Sequence, residues 1–373
     1  MPCLIIIIFE FTMKLTPRER LRRCYFHEEV DRPAVFCCNY SAMISDDESY
    51  DPLRALIEQV GELKFTWNAE ALINPSEELV GQEPYSKDFA RQIWKIATPG
   101  GDLISTRLVG LERQPGYVEK YYLQTQADVQ NYLSLPAPEI DGSVDSFFEL
   151  ERYAGDTGIV SVRLGGNPAG AIVRLFGSEN FAIMSITSRD LLHALIEQRM
   201  NRMLDLLRFL AHRRVGTFFD MAGQEYIVPP LHGRRDFSDF NVRYDRKIID
   251  LIHDMGGKVH VHCHGSIKTV MDLFVSMGVD VLHPFEAPPL GDLEPQEAKN
   301  LSGETLCLEG NIQIADMYEK TPEQIREQVE NLITVLFGDS RNLIVCPTAS
   351  PYIPGAGASC LHQYRAMIEA VVA

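Results

Sequence analysis

The chain has 373 residues, with 35 basic against 52 acidic side chains and a formal net charge of −17. That length can bury a large core, as one big α/β domain or two smaller ones. No Lys/Arg-rich run interrupts the acidic balance, so nucleic acid and anionic membrane surfaces are excluded as expected partners. A polyanionic substrate would need arginines concentrated at its site.

Residues 1–12, Met-Pro-Cys-Leu-Ile-Ile-Ile-Ile-Phe-Glu-Phe-Thr, are too short to span a bilayer and lack the basic start and cleavage site of a signal peptide. They read as a loose arm or an upstream translation artefact, with folding expected from Met13. Thr16 then caps a helix, Pro17 fits its first turn and Glu19 completes a capping box. The apolar run Ala34 to Cys38 is a first strand, 51–63 a helix and Lys64 to Glu70 a weak second strand. Between residues 75 and 120, Gln92–Ile96 and Leu103–Leu108 flank the turn Thr98-Pro-Gly-Gly-Asp102, a β-hairpin excursion from the main fold.

Helices follow over 125–133 and 144–153, then a third strand over 159–164 that runs into Gly165-Gly-Asn-Pro-Ala-Gly170. That turn could offer N–H groups to an anion, with Asn167 a substrate contact. The longest amphipathic helix spans 190–213, and strand four spans 215–221. The polar loop from Ala222 to Asp236 is the expected substrate-facing segment, with Glu225, Tyr226, Arg234 and Arg235 as contacts. From Phe237 onward helices and strands alternate, with strands at 258–263, 280–284, 305–309 and 343–347. About eight strands make a (β/α)8 TIM barrel with an N-terminal helical extension, a single unit over 13–373; a doubly wound open sheet is the alternative.

Lys258-Val-His-Val-His-Cys-His-Gly265 places three imidazoles on one face of the fifth strand, because side chains two apart point the same way. Cys263 falls on the other face, and His260 lies deepest, as a filler of the barrel interior. A single strand-end histidine is ordinarily only hydrogen-bonded or solvated. Three on one face, with Cys346 at the end of strand eight, instead suit zinc. The expected ligands are His262, His264 and Cys346, with Glu286 as a displaceable fourth. Asp220, Glu286, Glu309 and Tyr226 are the expected catalytic groups, since strand ends converge on one rim. Eight cysteines scattered without a CxxC pair fit reduced thiols in the cytoplasm.

Thr16-Pro-Arg-Glu-Arg-Leu with Asp31-Arg-Pro33, Gln224-Glu-Tyr-Ile-Val-Pro-Pro with Asp236-Phe, and the block from His262 through Pro284-Phe-Glu, Pro288-Pro-Leu-Gly-Asp292 and Glu309-Gly-Asn-Ile-Gln313 resemble the uroporphyrinogen decarboxylase superfamily. The resemblance implies a (β/α)8 barrel. Its decarboxylases are metal-free and carry an Arg-Gln-Ala-Gly-Arg segment after strand one and an Asp after strand two. Here those places read Cys37-Cys-Asn-Tyr-Ser-Ala-Met-Ile44 and Trp67-Asn-Ala-Glu70, without the arginines.

The other branch consists of zinc-dependent methyltransferases that move a methyl group between a small molecule and a corrinoid protein. Their His-x-Cys motif and distant Cys match His262-Cys263-His264 and Cys346, with His264 in place of the first Cys. The resemblance leaves two ligand pairs open, His262 with His264 or His262 with Cys263. It implies one zinc per chain, a corrinoid supplied by a partner protein, a small methyl donor or acceptor, and, by analogy with decarboxylases, a homodimer. A metal-free decarboxylase-like lyase and a non-catalytic docking barrel are the other two readings.

Overall fold

The computed structural model describes residues 14–37, 46–73, 77–112 and 114–373. The N-terminal arm and residues 38–45, where the decarboxylase arginines are missing from the sequence, lie outside them. In chain order the strands are β1 Ala34–Val35, β2 Leu63–Asn68, β3 Glu77–Pro84, β4 Phe89–Ile96, β5 Leu103–Gly110 and β6 Tyr117–Lys120. They continue with β7 Gly158–Gly166, β8 Phe218–Ala222, β9 Lys258–His262, β10 Val281–His283, β11 Cys307–Ile312 and β12 Leu343–Pro347.

Eight of them form one sheet in the order β1-β12-β11-β10-β9-β8-β7-β2. With β3 to β6 set aside, sheet neighbours are also chain neighbours joined by helices, save that the first strand β1 pairs with the last, β12, which is the TIM-barrel arrangement. The two ends of the sheet meet. The Val35 N–H donates to the Glu62 carboxylate at 2.6 Å, and the Glu62 N–H donates to the Val35 carbonyl at 3.0 Å.

Pleat alternation splits each strand between two environments. Outward residues such as Val160, Phe219, Val261, Cys263, Leu282 and Val345 pack beneath the helices in the main core. Inward residues Ala34, Phe36, Ile159, Phe218, Val281, Cys307, Ile344 and Cys346 meet Leu21, Cys24 and Tyr25 of the Pro17–Tyr25 helix. That helix therefore plugs the barrel floor. Its expected capping box is half made. Thr16 Oγ1 accepts from the Glu19 N–H at 3.2 Å, but the Glu19 carboxylate turns to Arg22 and Arg23 at 2.9 and 2.8 Å.

The excursion is larger than a hairpin: β3 to β6 form a four-stranded antiparallel sheet. The expected hairpin is its centre, with Ile96 opposite Leu103 in the β4–β5 ladder. Glu-rich, largely exposed β3 lacks the alternation that marks a half-buried strand, which explains why it was not legible. No helix among the described residues is long and apolar enough to cross a membrane.

Candidate active site

Above the apolar floor the inward positions turn polar. Parallel register sets Lys64 beside Ile159, Thr66 beside Ser161, Arg163 beside Asp220, Asp220 beside His260, and Ala222 beside His262 beside His283. All of these but Ile159, with Glu309, line a cavity of about 320 Å³ bottomed by Tyr25 and Phe36. It opens at the carboxyl ends of the strands, where barrel enzymes keep their chemistry. His264, Glu286, Glu225, Val228 and Thr348 continue it outward as a shallower recess.

The deepest charges are Lys64 and Glu309, both buried and directly ion-paired. The ammonium also lies 4.6 Å from the Phe36 ring centroid and 5.5 Å from that of Tyr25. Burial pushes the Glu309 carboxyl up, but Lys64, His260 and His283 together outweigh it and hold the group far below the usual carboxylate range. Burial likewise pulls the Lys64 ammonium down, and Glu309 more than reverses it. Asp220 accepts from Ser161 Oγ at 2.8 Å and from Arg163 Nε at 3.3 Å.

The imidazoles form one cluster. His283 Nε2 lies 3.0 Å from the Pro347 carbonyl, which can only accept, so that nitrogen carries the proton. Its Nδ1 is then a lone pair facing His262 Nδ1 at 2.9 Å, so His262 is the donor there and its own Nε2 lone pair is left over. Burial, then the neighbouring His283 and His264, push His262 down to about 2, so it is neutral at physiological pH. His260, also lowered chiefly by burial, has its Nε2 buried without a hydrogen-bond partner, 3.7 Å from Glu309 Oε2.

Among the described residues, donor atoms of His260, His283 and Glu309 all lie within 4.8 Å of one another. The orphaned His260 nitrogen and the Glu309 carboxylate fit a divalent ion such as zinc, which would take the His283 Nδ1 lone pair that now accepts from His262. The sequence-derived ligands are distributed around this group instead of forming it. His262 hydrogen-bonds His283; His264 Nδ1 lies 3.0 Å from Glu286 Oε2. The Cys346 thiol packs with the floor, 3.9 Å from Glu309 Oε1. Cys263 faces the helices, where burial raises its thiol well above the ordinary value, as its place in the pleat predicts.

Of the expected catalytic carboxylates, Asp220 and Glu309 line the cavity and Glu286 the recess. Burial raises Glu286, but the His264 hydrogen bond and charge, the Gly265 N–H and the nearby His283 together keep it lowered. Tyr226 packs half-buried against the core and lines neither space. Of the expected substrate contacts, Glu225 lines the recess while its carboxylate accepts from the Gly223 N–H at 2.9 Å. Arg234 is held by Asp272 at 2.7 Å, and Arg235 is 86% exposed; neither lines the site. Sequence reasoning missed Lys64, Ser161, Arg163 and His283. His283 immediately precedes Pro284, so attention fell on Glu286 beyond it, although β10 ends at the histidine.

Asn167 is fully buried and serves packing. Its Oδ1 accepts from the Gly170 N–H at 2.9 Å, and its amide donates to Asn241 at 2.9 Å and Asp245 at 3.0 Å. Asp245 also accepts from Gln224 Nε2 at 3.0 Å, while Gln224 Oε1 has no partner. Burial pushes Asp245 up to about 7 against those two hydrogen bonds. A raised carboxyl binds its proton in the folded state first, so its contribution is present at low pH and lost as pH rises toward 7. Asp245→Asn keeps the acceptor and offers an N–H to Gln224 Oε1. It is expected to stabilise the protein by on the order of 2 kcal/mol at pH 8 and little at pH 4, as read by urea unfolding at both.

The model of the uroporphyrinogen decarboxylase (URO-D) family matches residues 116–350, more than half of the chain. No curated protein matches. Among solved structures, a methyltransferase from Methanosarcina mazei superposes with a TM-score of 0.62 at 13% identity, covering 96% of this chain and 98% of that one. D-psicose 3-epimerase from Clostridium cellulolyticum H10, at 9% identity, reaches only 0.35, over 62% of this chain and 92% of that one. The first likeness is one of fold.

Proposed function

The chain belongs to the uroporphyrinogen decarboxylase family, and we propose that it transfers a methyl group between a small molecule and a corrinoid held by a partner protein, using one zinc ion per chain. The observation that carries this reading is the group His260, His283 and Glu309, with the His260 nitrogen buried and unpartnered. A second ligand arrangement stays within the proposal, drawn from His262, His264, Cys346 and Glu286. The bound ion would supply Lewis acidity, lowering the pKa of a thiol or polarising a donor oxygen.

The chain's own groups have separate tasks. Lys64 fixes the Glu309 carboxylate, so the inner donors cannot swing away. Tyr25 and Phe36 exclude water from below. Arg163, at the lip and braced by Asp220, orients an acidic or polar substrate group. The His264–Glu286 pair stands at the recess, where one imidazole nitrogen and a carboxylate can hold or pass a proton. The recess is where a corrinoid carrier would meet the chain, and the buried cysteines suit a cytoplasmic setting.

The metal-free lyase has one observation in its favour: the Lys64 ammonium already neutralises Glu309, a charge an incoming ion must share. Protein purified without chelator is expected to carry about one zinc per chain. His260→Ala and His283→Ala should each lower zinc affinity by about 10-fold or more, if the inner group holds it. If His264→Ala and Cys346→Ala do so instead, the outer set is the ligand set. Absence of zinc together with decarboxylation of a tetrapyrrole would assign the chain to the lyase branch.

A further inference from the structure

A second cavity, of about 550 Å³, lies outside the barrel mouth between the β3–β6 sheet and the helices Pro168–Phe176 and Arg189–His212. Its polar rim carries Arg107, Arg174 and Arg199 against Glu70 and Glu77. Both carboxylates are already taken: Arg107 holds Glu77 at 2.7 Å, and Arg199 holds Glu70 at 2.8 Å. Tyr122 OH adds a donor to Glu77 at 2.9 Å. One cation is left over.

That cation is Arg174, whose guanidinium makes no hydrogen bond or ion pair among the described residues. Arg199 Nε, beside it in the wall, is buried with no acceptor. The same lining also carries apolar bodies, Ile73, Ile96, Val118, Tyr132 and Leu175. In a chain of net charge −17, a pocket with a surplus positive charge, an orphaned guanidinium donor and an apolar wall is a local inversion. Guanidinium groups match the two oxygens of a carboxylate or phosphate, and the apolar wall takes a hydrocarbon or aromatic body.

The partition from the barrel mouth is the end of β7. Arg163 of that strand lines the barrel cavity and Gly166 lines this one. At Gly165, between them, φ is +80° and a Cβ would stand 2.0 Å from the Glu70 carboxyl carbon. Glycine there lets Glu70 lie flat against the turn while it holds Arg199. The wall between the two spaces is thus built from residues that also set the position of the arginine.

We propose that this cavity is a second binding site, for a small organic oxyanion with an apolar body, separate from the barrel-mouth chemistry. Benzoate and phenyl phosphate are the probes, with benzamide as the neutral counterpart, titrated calorimetrically into the full chain. Both anions are expected to bind saturably and benzamide about tenfold more weakly or worse. Arg174→Gln, on an exposed helix face, should weaken the anions at least about tenfold without moving the thermal midpoint, and Arg174→Lys should restore part of the loss. His260→Ala should leave binding unchanged, which separates this site from the mouth and from the fate of the zinc proposal. Tighter benzoate assigns a carboxylate ligand, and tighter phenyl phosphate a phosphate. No saturable heat from either anion up to about 10 mM, equal binding of benzamide, unchanged affinity in Arg174→Gln, or loss of binding in His260→Ala would each overturn the proposal.

Discussion

Glu309→Gln is expected to cost about 3–5 kcal/mol of folding stability, because it leaves the Lys64 ammonium buried without its counter-charge. The neutral amide keeps the shape, so cavity formation does not contribute. What remains is an ammonium between the Tyr25 and Phe36 rings, and cation–π attraction of about 1–2 kcal/mol offsets only part of that. Lys64→Met with Glu309→Met removes both charges and should recover most of the loss, as apolar replacements of buried pairs do.

The pH dependence follows from the two shifts. A lowered Glu309 contributes stability above its unfolded value and loses it as pH falls; a raised Lys64 contributes below its own and loses it only at strongly alkaline pH. Urea unfolding of the parent should therefore show no change from this pair between about pH 5 and pH 9. Both variants should also lose zinc. A Glu309→Gln protein that unfolds like the parent would show that the ammonium finds water or another partner in the cavity.

The second large effect is expected at the barrel floor. Arg20 is 1% exposed, and its guanidinium reaches Asp31 at 2.7 and 2.8 Å, Glu62 at 2.6 Å and the Leu15 carbonyl at 2.8 Å. Glu62, itself buried, closes the ring of strands through the Val35 N–H. Arg20→Met should destabilise by about 3–5 kcal/mol, since it strands a buried carboxylate at the seam. Arg32 also holds Glu62, at 2.7 Å, but with its side chain 20% exposed and with Arg20 still in place beside the carboxylate, so Arg32→Met should cost less than about 2 kcal/mol. Arg20→Lys keeps the charge and loses the fork, and should fall between them. Thermal midpoints of the three variants rank these effects, and equal values for Arg20→Met and Arg32→Met would remove the seam's special role.

The strands from 258 onward were legible because short apolar runs alternate with amphipathic helices, and period-two spacing fixed which face His260, His262 and His264 share. Cys263 was placed on the outer face by the same rule. Which donors meet was not legible, because that depends on register between strands far apart in the chain. His283 reaches His262 only through the β9–β10 ladder, and Lys64 reaches Glu309 across 245 residues. A lysine in a weak strand carries no local sign that it will be buried against a carboxylate. Asn167 failed for the opposite reason: its turn pattern is genuine, but the side chain caps a helix and anchors Asp245 instead of facing a ligand.

The division of each strand into an inner and an outer face has a bearing on how such a barrel can change its trade. Lys64, Ser161, Asp220, His260, His283 and Glu309 come from six different staves, and all of them line the inner cavity, on the side away from the layer that glues staves to helices. Drift at these positions can redraw the reaction while the scaffold's cohesion is inherited untouched. Relatives with a common frame and different chemistries are the natural outcome of that separation.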